Sequence, residues 1–159
     1  MSFTQSYELI IKKVEEKDID AGIEMVKEFY LKAFKEQNLA FKYKDVKKLC
    51  EIIARKNISF IAYDGKKAVG SIGGFIIPHV FDSDEKMFNE VFWYVREEYR
   101  KSSLGIRLMK AIEEYCKNNK IKYCLMASLG NRRDDALCKL YSKRGYKHFE
   151  TVYIKTIGE

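Results

Sequence analysis

The stretch from Glu90 to Met109 constrains this chain more than any other. Glu90-Val-Phe-Trp-Tyr-Val95 reads as an aromatic strand, and Arg100-Lys-Ser-Ser103 is a short basic loop of small residues. Leu104, Leu108, Met109, Ile112, Tyr115 and Cys116 then recur at helical spacing. A strand that hands over to a helix through such a loop makes an anion site. The free N–H groups of the first helical turn point outward, and the helix dipole favours negative charge there. Arg100 and Lys101 add full charges. A pyrophosphate is the natural guest.

The loop carries neither GxxxxGK[ST] nor GxGxxG, which argues against a Walker-type nucleotide site and a dinucleotide-binding crossover. Arg100-Lys101-Ser102-Ser103-Leu104-Gly105 instead resembles the R/Q-x-x-G-x-G/A motif of the GNAT superfamily of N-acetyltransferases. In that family the loop holds the pyrophosphate of acetyl-coenzyme A. The resemblance therefore implies a cofactor cradle over Arg100, Lys101, Ser102, Ser103, Leu104, Gly105 and Ile106. Ser103 stands where the family has glycine. Serine stays small and adds a hydroxyl that can reach a phosphate, but its Cβ disfavours a positive φ.

The rest of the chain reads as one domain over residues 1–159, with no repeat, no Pro/Gly/Ser-rich linker and a single proline. No apolar run approaches membrane-spanning length, and the first residues lack a basic stretch followed by an apolar core. The expectation is a cytoplasmic protein with no membrane partner. Cys50, Cys116, Cys124 and Cys138 lie scattered in apolar periodic segments, as buried free thiols would. With only His79 and His148 to add, no metal site is expected. The net charge of +7 suits an anionic partner without naming one.

Tyr7 to Val14 reads as a strand, and Asp18 as the N-cap of a helix from Ile19 to about Gln37. A second helix runs from Asp45 to about Lys56, followed by a strand from Ile58 to Tyr63 and a turn at Asp64-Gly65. Strands follow at Ala68 to Ile77, with Gly73-Gly74 inside, and at Glu85 to Val95. The helix after the loop runs to about Asn119, and Ile121 to Ala127 is a short buried strand. A helix from about Arg132 to Lys143 ends at Gly145, and Tyr146 to Ile157 supplies one or two last strands. The order is β-α-α-β-β-β-α-β-α-β(-β), an α/β (α+β) chain. It matches the GNAT order, which implies a mixed, mainly antiparallel sheet of six to seven strands flanked by four helices.

Leu140-Tyr-Ser-Lys-Arg-Gly-Tyr146 resembles the L-Y-x-K-x-G-F/Y segment that closes the last helix of many GNAT enzymes, and maps the family's general-acid tyrosine onto Tyr141. Acyl transfer from a thioester expels a thiolate, whose thiol has a pKa of about 8.5, and a nearby phenol can protonate it. The attacking amine has a pKa of about 10 and needs a base. Glu90 is the candidate, because a carboxylate inside an aromatic strand is unusual structurally. Glu90-Val-Phe-Trp-Tyr-Val95 is also similar to the E-x-x-W-W-V pattern of phage-type members. Strict alternation puts Glu90 on the face of Phe92 and Tyr94, unless a bulge intervenes, with Asn89 opposite as a reserve for positioning substrate.

Trp93, Tyr94 and Val95 fall where the family splays this strand from the next, so that main-chain groups bind the pantetheine arm. A backbone N–H near Val95 would polarise the thioester carbonyl. The family often has asparagine seven residues before the tyrosine; here that position is Asp134, and Asn131 is the substitute for contacting coenzyme A. Arg132 and Arg133 read as decoration of the helix start. Lys35, Lys42, Lys44, Lys47 and Lys48 read as a solvated face; if they line the acceptor site, the acceptor is acidic or neutral rather than polycationic.

These observations converge on an acetyl-CoA-dependent N-acetyltransferase. It moves the acetyl group to a primary amine of a small-molecule or peptide acceptor by direct attack, with acetyl-CoA as co-substrate. No G-x-S-x-G elbow argues for an enzyme nucleophile. The alternative is a non-catalytic basic module that binds acyl-CoA or nucleic acid. The lysines are spread rather than clustered and no nucleic-acid motif is present, which weighs against nucleic acid. Thr151 to Ile157 could form a dimer edge, leaving monomer and homodimer both open.

Overall fold

The computed structural model describes residues 9–129 and 134–158. The chain divides into two compact bodies, up to Met126 and from Ala127 onward. In the first body, β1 (Leu9–Lys13) leads through a 3₁₀ turn at Glu16–Asp18 into α1 (Ile19–Ala33) and then α2 (Tyr43–Lys56). Next come β2 (Ile58–Asp64), β3 (Lys67–His79) and β4 (Asp82–Val95). A 3₁₀ turn at Glu97–Tyr99 precedes α3 (Leu104–Asn118), and β5 (Tyr123–Leu125) ends this body. The strands form a single sheet in the order β1-β2-β3-β4-β5. The first four pair antiparallel, and β5 joins β4 in parallel.

Both faces of the sheet are covered. Leu104, Leu108 and Ile112 of α3 pack on Ile58, Val69, Ile72, Phe88 and Val95. Ile19, Ile23 and Val26 of α1 and Cys50 and Ile53 of α2 pack on Ile61 and Phe92 from the other side. The apolar stripes that gave the helices their sequence period are thus the surfaces that hold them to the strands.

Asp18 occupies the N-cap position of α1, as expected, but its side chain does not cap that helix. It is buried, and takes hydrogen bonds from the Glu15 N–H at 3.0 Å and the Tyr63 hydroxyl at 2.8 Å. The Lys12 ammonium sits 2.9 Å away. Burial alone would raise this carboxyl; the bonds from Lys12, Glu15 and Tyr63 outweigh it and hold the group below its ordinary value. Burial, with the bond to Asp18, pushes the Tyr63 phenol up to about 12.

One local irregularity reshapes the central strand. Gly73 pairs with Phe92 but Gly74 pairs with Glu90, so Val91 is an extra residue in β4, a bulge. The tandem glycine is what admits it. A Cβ on Gly74 would collide with the Asn89 carbonyl oxygen and lie 2.9 Å from the Glu90 Cα, while one on Gly73 would lie 2.7 Å from the Phe92 ring.

The second body holds α4 (Asp134–Lys143). Its end is a Schellman cap: Gly145 has φ +84°, the Gly145 N–H donates to the Ser142 carbonyl, and the Tyr146 N–H donates to that of Tyr141. The rings of Tyr141 and Tyr146 pack 5.4 Å apart across it, the apolar contact that accompanies this cap. The expected strand over Tyr146–Ile157 is not formed, and among the described residues five strands stand where six to seven were expected. The segment has the β-branched and aromatic residues of a strand, but a strand exists only with a ladder partner, and among the described residues none pairs with it. Phe149, Val152, Tyr153, Ile154 and Ile157 are exposed. Of the four cysteines, all free, Cys50 and Cys116 are buried as expected, whereas Cys138 is exposed.

Candidate active site

The pairing of β4 with β5 is short. It joins Met87 to Tyr123, Phe88 to Cys124 and Asn89 to Leu125, where β5 ends. β4 continues six residues further, from Glu90 to Val95, and delivers the chain to the basic loop. Trp93, Tyr94 and Val95 all lie on this extension. Beyond Asn89 no described strand pairs with its outer edge. The Arg96 N–H donates to the Val69 carbonyl of β3 at 2.9 Å. Alternation then turns the N–H and C=O of Val95 to the opposite edge, beyond the end of β5. There the Val95 carbonyl accepts a 2.8 Å bond from Arg100 Nε. The Arg100 guanidinium also lies 5.3 Å from the Tyr94 ring centre. Arg100 thus braces the strand end with one N–H and an aromatic contact.

The loop that follows is a stack of tight turns. The Tyr99 N–H bonds the Arg96 carbonyl, the Arg100 N–H that of Glu97, and the Ser102 N–H that of Tyr99. The Ser102 hydroxyl donates to the Tyr99 carbonyl and accepts from the Leu104 N–H. The first bond of α3 itself runs from the Arg107 N–H to the Ser103 carbonyl. Among the described residues, the amides of Lys101, Ser103, Gly105 and Ile106 donate to no protein acceptor. These four donors lie within six residues of one another at the start of α3, next in sequence to the charges of Arg100 and Lys101. Ser103 has φ −75°, so the glycine of the family motif is not required here for its conformational freedom.

The bulge decides where Glu90 points. Glu90 pairs with Gly74, which alternates with Ile72 and Ile76 on the α3 side of the sheet. Glu90 therefore shares the face of Phe88, Trp93 and Val95, whereas Val91 and Phe92 face α1 and α2. This corrects the placement beside Phe92 and Tyr94 that strict alternation gives. Asn89, reserve candidate for positioning substrate, stays opposite, paired with Phe75.

In the second body the Tyr141 hydroxyl donates a 2.6 Å bond to the Ala127 carbonyl, which fixes the phenol's orientation. Asn131 lies outside the described residues, as do Arg132 and Arg133.

A pocket of about 310 Å³ opens between α1 and the end of β4, lined by Glu28, Leu31, Lys32, Tyr94, Arg96, Glu97 and Glu98. Arg96 pairs with Glu28 at 3.1 Å and Lys32 with Glu97 at 3.3 Å. Lys42, Lys44, Lys47 and Lys48 are exposed and do not line it. No sequence motif marked this pocket, because it joins residues more than sixty positions apart. Burial pushes the Cys50 thiol up to about 11, and a bond to Cys124 together with burial raises that of Cys116, so neither is a ready nucleophile. Among the described residues, no cluster of His, Cys, Asp and Glu could hold a metal, and no helix is long and apolar enough to cross a membrane.

The sequence profile of the acetyltransferase (GNAT) family matches residues 23–146. The chain belongs to the acetyltransferase (GNAT) family. It is an N-acetyltransferase, a member of a family that takes its acyl group from acetyl-CoA. The fold of this acetyltransferase is that of solved members. An aminoglycoside acetyltransferase from an uncultured soil metagenomic sample, in complex with trehalose, matches with a TM-score of 0.74 at 15% identity, over 94% of this chain and 97% of that one. An aminoglycoside N-acetyltransferase in complex with CoA matches with a TM-score of 0.73 at 14% identity, over 98% of both chains. The ribosomal-protein-alanine N-acetyltransferase of Brucella melitensis biovar Abortus 2308 matches with a TM-score of 0.71 at 12% identity, over 95% and 100%. No curated protein matches this acetyltransferase by sequence.

Proposed function

We propose that this acetyltransferase binds acetyl-CoA along the free end of β4 and passes the acetyl group directly to a primary amine. The observation that carries the reading is the β4 extension beyond Leu125, leading into a loop with four unengaged amides at the start of α3. The pyrophosphate lies on Arg100 to Ile106, held by those amides, the helix dipole and Lys101. The pantetheine arm follows Trp93, Tyr94 and Val95, and the outward Val95 N–H polarises the thioester carbonyl. Asn131 is the further coenzyme A contact.

The amine attacks the carbonyl carbon and the C–S bond breaks. Glu90, through water, takes the ammonium proton, and Tyr141 protonates the departing thiolate. The Cys50 and Cys116 thiols, buried and raised, are not available as enzyme nucleophiles. The pocket beside α1 opens on the Tyr94 face of β4, opposite to Glu90, so an acceptor amine held there passes its proton to Glu90 through water rather than by direct contact. Each of the pocket's three glutamates is already ion-paired, with Arg96, Lys32 and Lys67, so the lining is close to balanced and admits a small-molecule amine of the kind the aminoglycoside enzymes acetylate. The profile match runs through both bodies, which supports one catalytic domain over residues 1–159.

Thermal unfolding with and without cofactor tests the reading. Acetyl-CoA at a hundred times its Kd stabilises the folded protein by about 2.7 kcal/mol. ATP and NAD at equal concentration produce no shift. Equal stabilisation by all three, or by none, refutes the cofactor site.

A further inference from the structure

The basic loop is pinned from outside by residues that no motif contains. The Tyr99 hydroxyl donates a 2.6 Å hydrogen bond to Asp64 Oδ2 at the turn between β2 and β3. One residue earlier, Glu98 pairs with Lys67 at 2.7 Å, and the Lys67 ammonium lies 5.8 Å from the Tyr99 ring centre. The turn and the loop are thirty-five positions apart in sequence at Asp64 and Tyr99.

Tyr99 is also the internal hub of the loop. Its carbonyl accepts from both the N–H and the hydroxyl of Ser102, and that same hydroxyl accepts from the Leu104 N–H. A continuous relay therefore runs from Asp64 through Tyr99 and Ser102 to the first residue of α3. The amides of Lys101, Ser103, Gly105 and Ile106 are set on either side of it. Asp64 Oδ1 is buried with no partner among the described residues, and a buried unpaired carboxylate oxygen is unfavourable. The bond to Asp64 raises the Tyr99 phenol above its ordinary value.

We infer that Asp64 and Tyr99 form a positioning clamp, which sets the geometry of the loop amides for the cofactor's pyrophosphate without touching the reacting atoms. The inference rests on the pyrophosphate reading above. The clamp places the four donors before the ligand arrives, so that the ligand does not lose affinity in ordering them.

Calorimetric titration with coenzyme A and with pantetheine, which lacks the pyrophosphate, tests both levels. Wild type binds coenzyme A far more tightly than pantetheine. Tyr99→Phe keeps the ring and its packing, and weakens coenzyme A about tenfold while leaving pantetheine within about twofold. Asp64→Ala does the same, the double variant is no weaker than either single one, and Asp64→Asn, which keeps an acceptor oxygen, retains most of the affinity. Unchanged coenzyme A binding by Tyr99→Phe overturns the clamp. Equal weakening of both ligands overturns it too, by showing a general structural loss. Wild type that binds the two ligands equally well overturns the pyrophosphate reading itself.

Discussion

Gly74→Ala probes the feature on which the placement of Glu90 depends. The added Cβ would overlap the Asn89 carbonyl oxygen and stand 2.9 Å from both the Asn89 carbonyl carbon and the Glu90 Cα. Ordinary contact begins near 3.4 Å, so β3 and β4 must part by about 0.5 Å or more at the bulge. Every atom met is main chain, and no rotamer change relieves the clash. Gly74 does not have a positive φ, so the penalty is steric. Overpacking of this kind costs about 1–3 kcal/mol, and the rigidity of the neighbours puts Gly74→Ala at about 3 kcal/mol. For a chain of this length that lowers Tm by about 6–12 °C. Gly105→Ala is the control. Its Cβ would meet the Trp93 Cζ2 at 3.5 Å and the Val95 Cγ2 at 3.8 Å, ordinary contacts, and the helix gains up to about 1 kcal/mol in propensity. Thermal unfolding followed by circular dichroism separates the two. A Gly74→Ala protein that melts within about 2 °C of wild type would refute the account of the bulge.

Tyr141→Phe lowers turnover by about a hundredfold, with coenzyme A affinity unchanged, in steady-state kinetics paired with calorimetry. Unaltered turnover removes the phenol from the mechanism. Ser103→Gly leaves coenzyme A affinity intact or improved, and lowers unfolding free energy by about 0.5–1 kcal/mol, because Ser103 holds an ordinary φ that glycine gains nothing from. Asp18→Asn lowers stability by about 2 kcal/mol at pH 7, read by urea unfolding. The folded-state pKa of Asp18 is depressed, so its contribution is complete above the ordinary value of 3.8 and is lost as pH falls through the folded value. Wild type and variant therefore converge in acid, and a difference that persists there contradicts the Lys12–Asp18–Tyr63 account.

Local patterns were legible because they are written in neighbouring residues. The stripe Leu104, Leu108, Ile112 gave α3 and its buried face. The pair Tyr141 and Gly145 gave the end of α4, since a left-handed C-cap needs glycine and the tyrosine four residues before it packs across the cap onto Tyr146. The Arg100–Gly105 loop, with its family resemblance, gave the class of enzyme. Gly73-Gly74 carried a signal for the bulge, but two adjacent glycines in a strand do not say which partner strand gains the extra residue. The last strand was over-read, because β-propensity at Val152 to Ile157 is necessary for a ladder and not sufficient.

By itself, then, the sequence determined the order of the elements as far as α4, the two faces of each helix and the cofactor-loop motif, all set by local periodicity and turn chemistry. The tertiary structure alone decided the rest. It turned Glu90 to the α3 face through one extra residue, Val91. It directed Arg100 onto the Val95 carbonyl and tied Tyr99 to Asp64 across thirty-five positions. It gathered Glu28, Arg96 and Glu97 into one pocket. Each of these depends on the register between strands or on contacts between distant segments, and no local propensity encodes either.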